Sequence, residues 1–419
     1  MSKILIISLV YLPDNVSTAH IITNLCEDLN KFGSKITVIT SMPHYHPDPH
    51  VNLDNYKQRY FGNLIYRYDI SGIRVFRIFM PKKSNKIFLR IFFWLWFNIM
   101  SLLIGILLVL KDKTDIIFTP SPPLTNGIVA WLLSLLGGAK YIYNVQEIYP
   151  DIAINSGILK NSLVISILKK VELLVYKKAH KITVISNGMK NNLVGKGIKG
   201  DKIEYIPNFI DISEMKIVSR INSFSIKYSI NDKFVISYAG NVSVPQNLRS
   251  LINAAKTLKH INEIIFMIIG DGTQLKSLKH YVERSGLNNF LFLPFQAYDL
   301  VPEIYASSDL NLVTLSSSLK DDAVPSKVYR IMACSRTVLA IASLSSDLAE
   351  LIREANCGFV VAPEDEIGLA KIIRWCYENK EKLNSYGESG RKYILEHYTR
   401  EAITQKYKSL IDLTIAPKW

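Results

Sequence analysis

The stretch "KILIISLVYLPDNVSTAHIITNLCEDLNKFGSKITVITSMP", residues 3–43, decides the fold. It begins with a continuous apolar run ended by Pro13, which is typical of a strand buried on both faces. Apolar residues then recur at helical spacing between an N-cap candidate, Ser17 or Thr18, and Gly33. A second apolar run, "KITVITSMP", follows at once. The stretch therefore predicts a β-α-β unit, which opens a parallel sheet covered by helices.

Strand and helix patterns keep alternating through the first half of the chain. A polar stretch without strong periodicity follows at residues 210–233, and the alternation restarts with "FVISYAGN". A length of 419 residues suits two domains of about 150–200 residues each. We therefore predict an α/β protein with two doubly wound domains, residues 1–208 and 209–395, followed by a helical tail at 396–419. In such sheets ligands bind at the carboxyl ends of the strands, and a cleft between two domains suits a large substrate.

An apolar segment, "IFFWLWFNIMSLLIGILLVL" at residues 91–110, is long enough to span a bilayer. The strands predicted before and after it belong to one sheet, and a single crossing would place them on opposite sides of the membrane. Two interpretations remain. The helix is buried in the core, or it is partly exposed at a membrane surface with Trp94 and Trp96 at headgroup level. We favour the second, which predicts a cytoplasmic protein peripherally associated with the inner membrane.

The charge balance points to an anionic partner. The net charge is +14, which suits nucleic acid, phosphorylated metabolites or an acidic lipid surface. Five cations precede the apolar segment, where anionic headgroups would meet them: Arg77, Lys82, Lys83, Lys86 and Arg90. The four cysteines form no C-x-x-C pair, so a cysteine-rich zinc motif is absent, and their small number fits a reducing cytosol.

Four motifs follow one another in the second half: "YAGNVSVPQNLRSLINAA", "IIGDG", "FLPFQAYDLVPEIYASSDLNLV" and "DDAVPSKVYRIMACSRTVLA". In the first, Gly240 and Asn241 end a strand and precede a helix, where a glycine lets backbone amides approach a phosphate. Gly270 and Asp271 begin a turn of the same form. The structural alternative for both is an ordinary turn whose glycines only permit positive φ.

The sequence "VPSKVYR" carries the sharpest candidate site. Ser326 is a good helix cap, and Lys327 falls in the first turn of the predicted helix. A cation there opposes the helix dipole, which costs stability unless an anion neutralises it. A diphosphate would do so, and the alternative is a lysine that faces solvent.

Together these motifs resemble the GT-B glycosyltransferases of glycosyltransferase family 4, over essentially that family's whole length. The chain is most similar to the branch that builds bacterial O-antigen and capsule, including L-fucosamine transferases. The resemblance implies two Rossmann-like domains facing a central cleft, with the C-terminal helix packed back on the N-terminal domain. It also implies a UDP-sugar donor in the C-terminal domain, a polyprenyl-diphosphate-linked saccharide acceptor in the N-terminal domain, retention of anomeric configuration, and no nucleic acid partner.

The resemblance assigns further donor-site residues. Many relatives carry two glutamates in the last motif, and the matching positions here are Asp322 and Arg330. Asp322 would keep a catalytic role near the sugar. Arg330 cannot accept hydrogen bonds from ribose hydroxyls as a glutamate does, but it could contact phosphate. The family holds the nucleotide base at "LPFQ", where Phe295 could stack on the base and Gln296 lies beside it; such a phenylalanine is more often core.

The N-terminal half should hold the acceptor. Relatives often have paired glycines after the first strand, whereas Asp14, Asn15 and Ser17 line that loop here. In "NVQEIYPD", Glu147 falls where relatives carry an acidic residue, with Gln146 before it. A carboxylate there could receive the proton of the acceptor hydroxyl, and the alternative is a structural ion pair or a helix cap.

A histidine-rich stretch, "MPHYHPDPH", raises the question of a metal ion. His44, His46, Asp48 and His50 are spaced so that a strand or loop could turn them toward one ion. Because the prolines favour an extended surface loop, a polar substrate loop is the better interpretation, with His44 near the acceptor. No metal is expected, since helix dipoles and cations can stabilise a leaving diphosphate in this fold.

The sequence thus predicts an enzyme of O-antigen or capsule biosynthesis that transfers a sugar, with N-acetyl-L-fucosamine as a candidate. Two alternatives remain open at this point. One is a sugar-nucleotide epimerase of the same architecture, which makes no glycosidic bond and needs no membrane acceptor. The other is a non-catalytic, membrane-docked scaffold.

Overall fold

The computed structural model describes five segments of the chain, residues 1–44, 57–80, 87–243, 246–316 and 324–416. The chain forms two structural units: Met1–Asn208 with Glu401–Trp419, and Phe209–Arg400. The sequence pattern placed its two divisions after residues 208 and 395, and the first division between the units falls after Asn208. The second falls after Arg400 rather than after residue 395.

A nine-stranded sheet forms the centre of the first unit, in the order β3-β4-β5-β2-β1-β6-β7-β8-β9. Its strands are β1 (Lys3–Ile7), β2 (Lys35–Ser41), β3 (Gln58–Phe61), β4 (Ile65–Ile70), β5 (Ile73–Ile78), β6 (Ile116–Pro120), β7 (Lys140–Val145), β8 (Lys181–Val184) and β9 (Ile203–Tyr205). The predicted opening is confirmed, because β1 and β2 pair in parallel and α1 (Ser17–Lys31) connects them. The apolar side chains of β1 from Ile4 to Ile7 are buried, as a strand covered on both faces requires.

The predicted alternation is wrong between β2 and the next helix. Three consecutive strands occur there, and β4 pairs antiparallel with both β3 and β5. Tight turns make these hairpins possible, since Gly62, Ser71 and Gly72 all have positive φ. A smaller correction concerns the polar stretch at 210–233, which contains a short helix, α7 (Ser223–Lys227), capped by the Asn222 side chain.

Helices cover the first sheet. They are α1, α2 (Ile87–Lys111), α3 (Asn126–Gly137), α4 (Asp151–Asn155), α5 (Ser162–Lys178), α6 (Asn187–Gly195) and α15 (Arg400–Ile415). Helix α2 contains the apolar segment, and the strands on either side of it, β5 and β6, belong to one sheet, as the topological argument requires. Its part from Ile91 to Lys111 is long and apolar enough to span a membrane by length and composition alone.

Helix α2 is buried on one side only. Phe97, Met100 and Ile104 lie in the core, and Gly105 lets the helix approach Leu133 of α3 closely. The opposite side exposes a stripe of apolar side chains at helical spacing: Phe92, Leu95, Ile99, Leu103, Leu107 and Leu110. The helix is therefore neither the fully buried core helix nor a helix free of the fold, and one complete apolar side remains uncovered in the described chain.

The C-terminal helix α15 belongs to the first unit through a buried polar network. The Asn144 side-chain amide, on β7, donates to the Tyr407 hydroxyl at 3.0 Å and to Thr183 Oγ1 at 2.8 Å. Gln146 Nε2 donates to Asn144 Oδ1 at 2.7 Å, and Asn208 Nδ2 donates to Gln146 Oε1 at 2.8 Å. The carboxyl end of β7 is thereby hydrogen-bonded to Asn208, where the chain leaves the first unit, and to Tyr407 in α15, where it returns.

The second unit has a six-stranded parallel sheet in the order β12-β11-β10-β13-β14-β15. Its strands are β10 (Phe234–Ala239), β11 (Ile264–Ile269), β12 (Phe290–Leu293), β13 (Leu310–Thr314), β14 (Val338–Ile341) and β15 (Gly358–Val361). Its helices, with α7, are α8 (Arg249–Thr257), α9 (Leu275–Arg284), α10 (Val301–Ala306), α11 (Lys327–Ala333), α12 (Asp347–Glu354), α13 (Glu366–Glu378) and α14 (Leu383–His397). The strand order reverses at β10, which places the expected ligand position beyond the carboxyl ends of β10 and its neighbours.

Candidate active site

Lys327 occupies the reversal point of the second sheet. It is the first residue of α11, which follows β13, and its ammonium nitrogen lies 3.8 Å from the centre of the Tyr238 ring on β10. A β-carbon built on Gly240 would lie 3.0 Å from Lys327 Nζ. The amine and the glycine turn therefore meet at the carboxyl end of the sheet.

The environment of Lys327 disfavours its charge. Burial, and then the neighbouring Arg330 guanidinium, lower the pKa of Lys327 to about 7. A bound anion would reverse this effect, because an opposite charge beside the amine favours the protonated form. Lys327 would therefore gain its positive charge when an anionic ligand binds beside it.

Two glycine turns pack backbone to backbone beside this lysine. Gly240 has φ +148° and Gly270 has φ +140°, a region that side-chain-bearing residues rarely adopt. A β-carbon on Gly270 would fall 1.9 Å from the Gly240 carbonyl oxygen, so only glycine fits there. The Tyr238 hydroxyl donates to the Asn241 carbonyl at 2.6 Å and fixes the first turn. Asp271 Oδ1 accepts from the Gly272 amide at 2.7 Å and fixes the second.

Replacing Gly270 by alanine should lower the free energy of unfolding by about 2–5 kcal/mol, from backbone strain and the clash with Gly240. Gly195→Ala is the matched control. Gly195 is helical and open, so alanine there should stabilise by about 0.5–1 kcal/mol. Denaturant unfolding of both variants measures the difference, and equal stabilities would contradict the close packing of the two turns.

The other predicted donor residues lie near these turns in different ways. Arg330 lies over the Tyr298 ring, 5.1 Å from its centre, and the Tyr298 hydroxyl donates to Glu214 Oε2 at 3.0 Å. Burial raises the pKa of the Glu214 carboxyl. Ser326 takes the N-cap position of α11, but the capping bond expected from its side chain does not form. Arg330 thus belongs to a cluster that also supplies a carboxylate, which the sequence motifs did not indicate.

The segment predicted to bind the nucleotide base follows β12, the neighbour of β11. Phe295 is 54% exposed, so the alternative of a core phenylalanine does not apply. Gln296 Nε2 donates to the Pro294 carbonyl at 2.8 Å. Asp322, the predicted catalytic residue of this half, lies outside the described residues.

Glu147 stands at the carboxyl end of the first sheet, directly after β7. Ser121 Oγ holds its backbone, donating to the Glu147 carbonyl at 3.0 Å. No described residue bonds or pairs with the carboxylate, so neither structural alternative, an ion pair or a helix cap, accounts for it in the described chain. Burial alone raises the pKa of Glu147 to about 7, where a carboxylate can exchange a proton with a ligand at neutral pH.

Two predicted acceptor residues are buried and hydrogen-bonded inside the first unit. Asp14 is fully buried, and its Oδ1 accepts from the His44 backbone amide at 2.7 Å. Gln146 is buried and bonded at both ends of its side chain to Asn144 and Asn208. Neither side chain faces outward, and both shape loops that a ligand would meet; their contact with the acceptor stays a prediction.

The other predicted acceptor residues vary in exposure. Asn15 is half-buried, with its Oδ1 3.1 Å from His20 Nε2. Ser17 is the first residue of α1, and the helix is preceded by Val16 rather than by the expected Ser17 or Thr18 cap. The His44 ring is turned inward, with Nδ1 3.0 Å from Ser41 Oγ. His46, Asp48 and His50 lie outside the described residues.

Arg77 was expected to face lipid headgroups, and this expectation is wrong. Its side chain is completely buried under the loop after β1, donating to the carbonyls of Ser41 and Leu12. Its guanidinium lies 5.6 Å from the Tyr68 ring centre. Burial lowers the pKa of Arg77 to about 10. The loop after β1 therefore rests on a buried cation that hydropathy patterns could not locate.

Known proteins match both halves of the chain. Residues 18–214 match the model described as "Glycosyltransferase Family 4", and residues 220–393 match "Glycosyl transferases group 1". The chain is a glycosyltransferase of the GT-B fold. This decides against the epimerase and the non-catalytic scaffold.

Relatives and solved structures are similar over most of the glycosyltransferase. The putative colanic acid biosynthesis glycosyl transferase WcaI of Escherichia coli K12 is 25% identical over 87% of this chain and 89% of its own. The probable glycosyltransferase WbjE of Pseudomonas aeruginosa is 24% identical over 71% and 74%. HepE of Anabaena, solved in complex with UDP, superposes with a TM-score of 0.72 at 16% identity, covering 98% of this chain and 99% of HepE.

Proposed function

We propose that this glycosyltransferase transfers a sugar from a UDP-sugar to a lipid-linked saccharide during assembly of a bacterial O-antigen or capsule. The observation that carries the proposal is the Lys327 amine held against the Gly240 turn at the reversal point of the second sheet. HepE was solved with UDP and with UDP-glucose, and WcaI is named for the biosynthesis of a polysaccharide, colanic acid. Both support a nucleotide-sugar donor and a saccharide product.

In the donor unit, the diphosphate would bind at the turn amides and the Lys327 amine. As the bond between the sugar and the β-phosphate oxygen breaks, negative charge builds on UDP, and a preorganised cation stabilises it without moving. Arg330 adds a second positive charge, Phe295 offers a face for the base, and Asp322 would lie near the sugar. Because these cations and amides neutralise the leaving group, we propose that no metal ion is required.

In the acceptor unit, Glu147 would act on the attacking hydroxyl. The hydroxyl oxygen forms the new bond to the anomeric carbon, and its proton passes to the Glu147 carboxylate. The raised pKa makes this carboxylate a stronger base than an exposed one. We propose a polyprenyl-diphosphate-linked saccharide as the acceptor, bound by a cytoplasmic enzyme on the inner face of the membrane. The uncovered apolar side of α2 supports this location.

UDP binding should weaken with rising pH. Lys327 has a pKa of about 7 in the free protein, so binding above pH 7 must also capture a proton. The UDP dissociation constant should therefore rise by up to about tenfold per pH unit between pH 7.5 and 9. Calorimetry measures this slope. Lys327→Arg, whose guanidinium stays charged, should flatten it, and the same steep slope in that variant would contradict the assignment to Lys327.

The proposed reaction is tested by incubating the protein with a panel of UDP-sugars, with and without a polyprenyl-diphosphate saccharide. UDP-N-acetyl-L-fucosamine is the first donor to test. We expect UDP release and a larger lipid-linked product only when donor and acceptor are both present, at the same rate in EDTA. A panel of nucleotide sugars that yields no product with any acceptor would reject the proposal.

A further inference from the structure

The first half of α5 contains no buried residue. Within α5 the buried residues are Glu172, Val175 and Tyr176, all in its second half. The first half exposes Leu163, at 69%, together with Val164 and Ile167. Ile158, just before the helix, is 68% exposed. An ordinary surface helix would turn polar side chains outward here, so these residues form an apolar surface without a partner in the described chain.

The packing of α5 against α3 shows where this half projects. A β-carbon on Gly127, at the start of α3, would lie 2.4 Å from Val175, and one turn later Trp131 lies 5.2 Å from Lys178 Nζ. The two helices therefore run in the same direction, and residues 162–174 extend beyond the beginning of α3. At 1.5 Å per residue this is about 20 Å of helix.

This projection lies at the ligand edge of the first sheet. Helix α3 follows β6, so its beginning marks the carboxyl end of the strands, and α5 continues outward from that edge. The same edge holds Glu147, only a short helix and a loop earlier in the chain. A partner bound to the projecting half of α5 would therefore be close to Glu147.

The charges of this segment are all positive. Between Asp151 and Glu172 the sequence contains Lys160, Lys169 and Lys170 but no acid, and these three lysines are exposed. Exposed apolar side chains beside cations suit the boundary between anionic headgroups and acyl chains. A second copy of the chain is a poorer occupant, because a two-fold contact would bring the lysines against one another.

We propose that the segment Ile158–Lys170, the docking segment, binds the surface of an anionic phospholipid bilayer. Leu163, Val164 and Ile167 enter the headgroup boundary, and the three lysines pair with lipid phosphates. This proposal adds a membrane-binding segment to the proposed function, and its biological role rests on that function. Docking through this segment would bring Glu147 to the level of the membrane surface at which the diphosphate and first sugars of a lipid-linked acceptor lie. Docking through α2 alone would not fix that level.

The test measures binding to vesicles without substrate. The apolar variant is Leu163→Ser/Ile167→Ser, and the charge variant is Lys160→Glu/Lys169→Glu/Lys170→Glu. The matched control, Lys259→Glu/Lys371→Glu/Lys392→Glu, makes the same change in net charge at exposed lysines of the second unit. Thermal melting checks that every variant is folded. The wild type and the control should bind phosphatidylglycerol-rich vesicles at least about tenfold more tightly than either docking variant. On pure phosphatidylcholine the charge variant should differ little from the wild type.

Three results would overturn the proposal. In the first, the docking variants bind phosphatidylglycerol vesicles as the control does. In the second, sedimentation shows a wild-type dimer that the apolar variant dissociates, without change in lipid binding. In the third, turnover of a lipid-linked acceptor falls while vesicle binding is unchanged, which assigns the segment to the acceptor chain alone. Failure of the proposed reaction appears separately, as absent UDP release by the wild type, and leaves the vesicle result intact.

Discussion

Replacing Glu147 by glutamine should lower kcat by about 10²–10⁴-fold and leave UDP affinity unchanged. The amide keeps the shape of the side chain but cannot take the proton of the acceptor hydroxyl. Wild-type kcat should also fall as the pH drops below about 7, because the raised pKa of Glu147 leaves the carboxyl protonated there. Steady-state kinetics with saturating donor measure both effects. A variant that keeps most of its kcat would remove Glu147 from the proton transfer.

The same substitution should make the protein more stable at alkaline pH. The folded state raises the pKa of Glu147 to about 7, so ionisation is penalised in the folded protein relative to the unfolded chain, where the pKa is about 4.3. The stability that this shift contributes is fully present below the unfolded pKa and is lost as the pH rises through 7. The neutral glutamine escapes the loss.

The expected gain for Glu147→Gln is about 3 kcal/mol at pH 8, and it should vanish near pH 4. Denaturant unfolding at several pH values measures it. Glu388→Gln removes an exposed carboxylate of α14 and serves as the control, with no comparable pH-dependent gain. Loss of activity together with increased stability would separate a functional role for Glu147 from a structural one.

Replacing Lys327 by alanine should weaken UDP binding by about 30- to 100-fold. The ammonium would make a charge-assisted hydrogen bond to the diphosphate, worth about 2–3 kcal/mol. Unfolding should not explain the loss, because the variant removes a buried amine whose charged form is already disfavoured. Calorimetric titration with UDP, with Lys371→Ala as the surface control, decides the matter. Unchanged affinity in Lys327→Ala would place the diphosphate elsewhere and reject the proposed donor site.

The parts of the molecule that local patterns specify were predictable from sequence. Apolar runs and helical periodicity predicted the opening β-α-β unit and the second domain. A buried strand or a buried helix side produces a pattern of apolar residues within a short stretch of sequence. The Gly240 turn and Lys327 could both be selected as candidates from sequence. A glycine directly after a strand and a cation in the first turn of a helix are each features that a bound anion would explain. The Gly240 turn and Lys327 lie close together because β10 and β13, the strands that precede them, are neighbours in the sheet.

Long-range contacts account for what the sequence did not reveal. Arg77 lies in a strand beside an apolar segment, and only its bonds to Ser41 and Leu12 show that it is buried. Gln146 is next to Glu147 and looks equally available for a ligand, yet its side chain is bonded to Asn208. A polar residue at a strand end can face the ligand or support the loop, and the choice depends on partners that are distant in sequence.

The bonds that join Tyr407, Asn144, Gln146 and Asn208 have a practical consequence for exchanging parts between related enzymes. The first unit is discontinuous in sequence, and its last helix contributes a hydroxyl to the interior of its own sheet. A hybrid that keeps residues 1–208 from one parent should therefore inherit residues 401–419 from that parent as well. Swapping only the middle segment, residues 209–400, should transfer the donor preference that we propose for the second unit without leaving unpaired amides in the recipient.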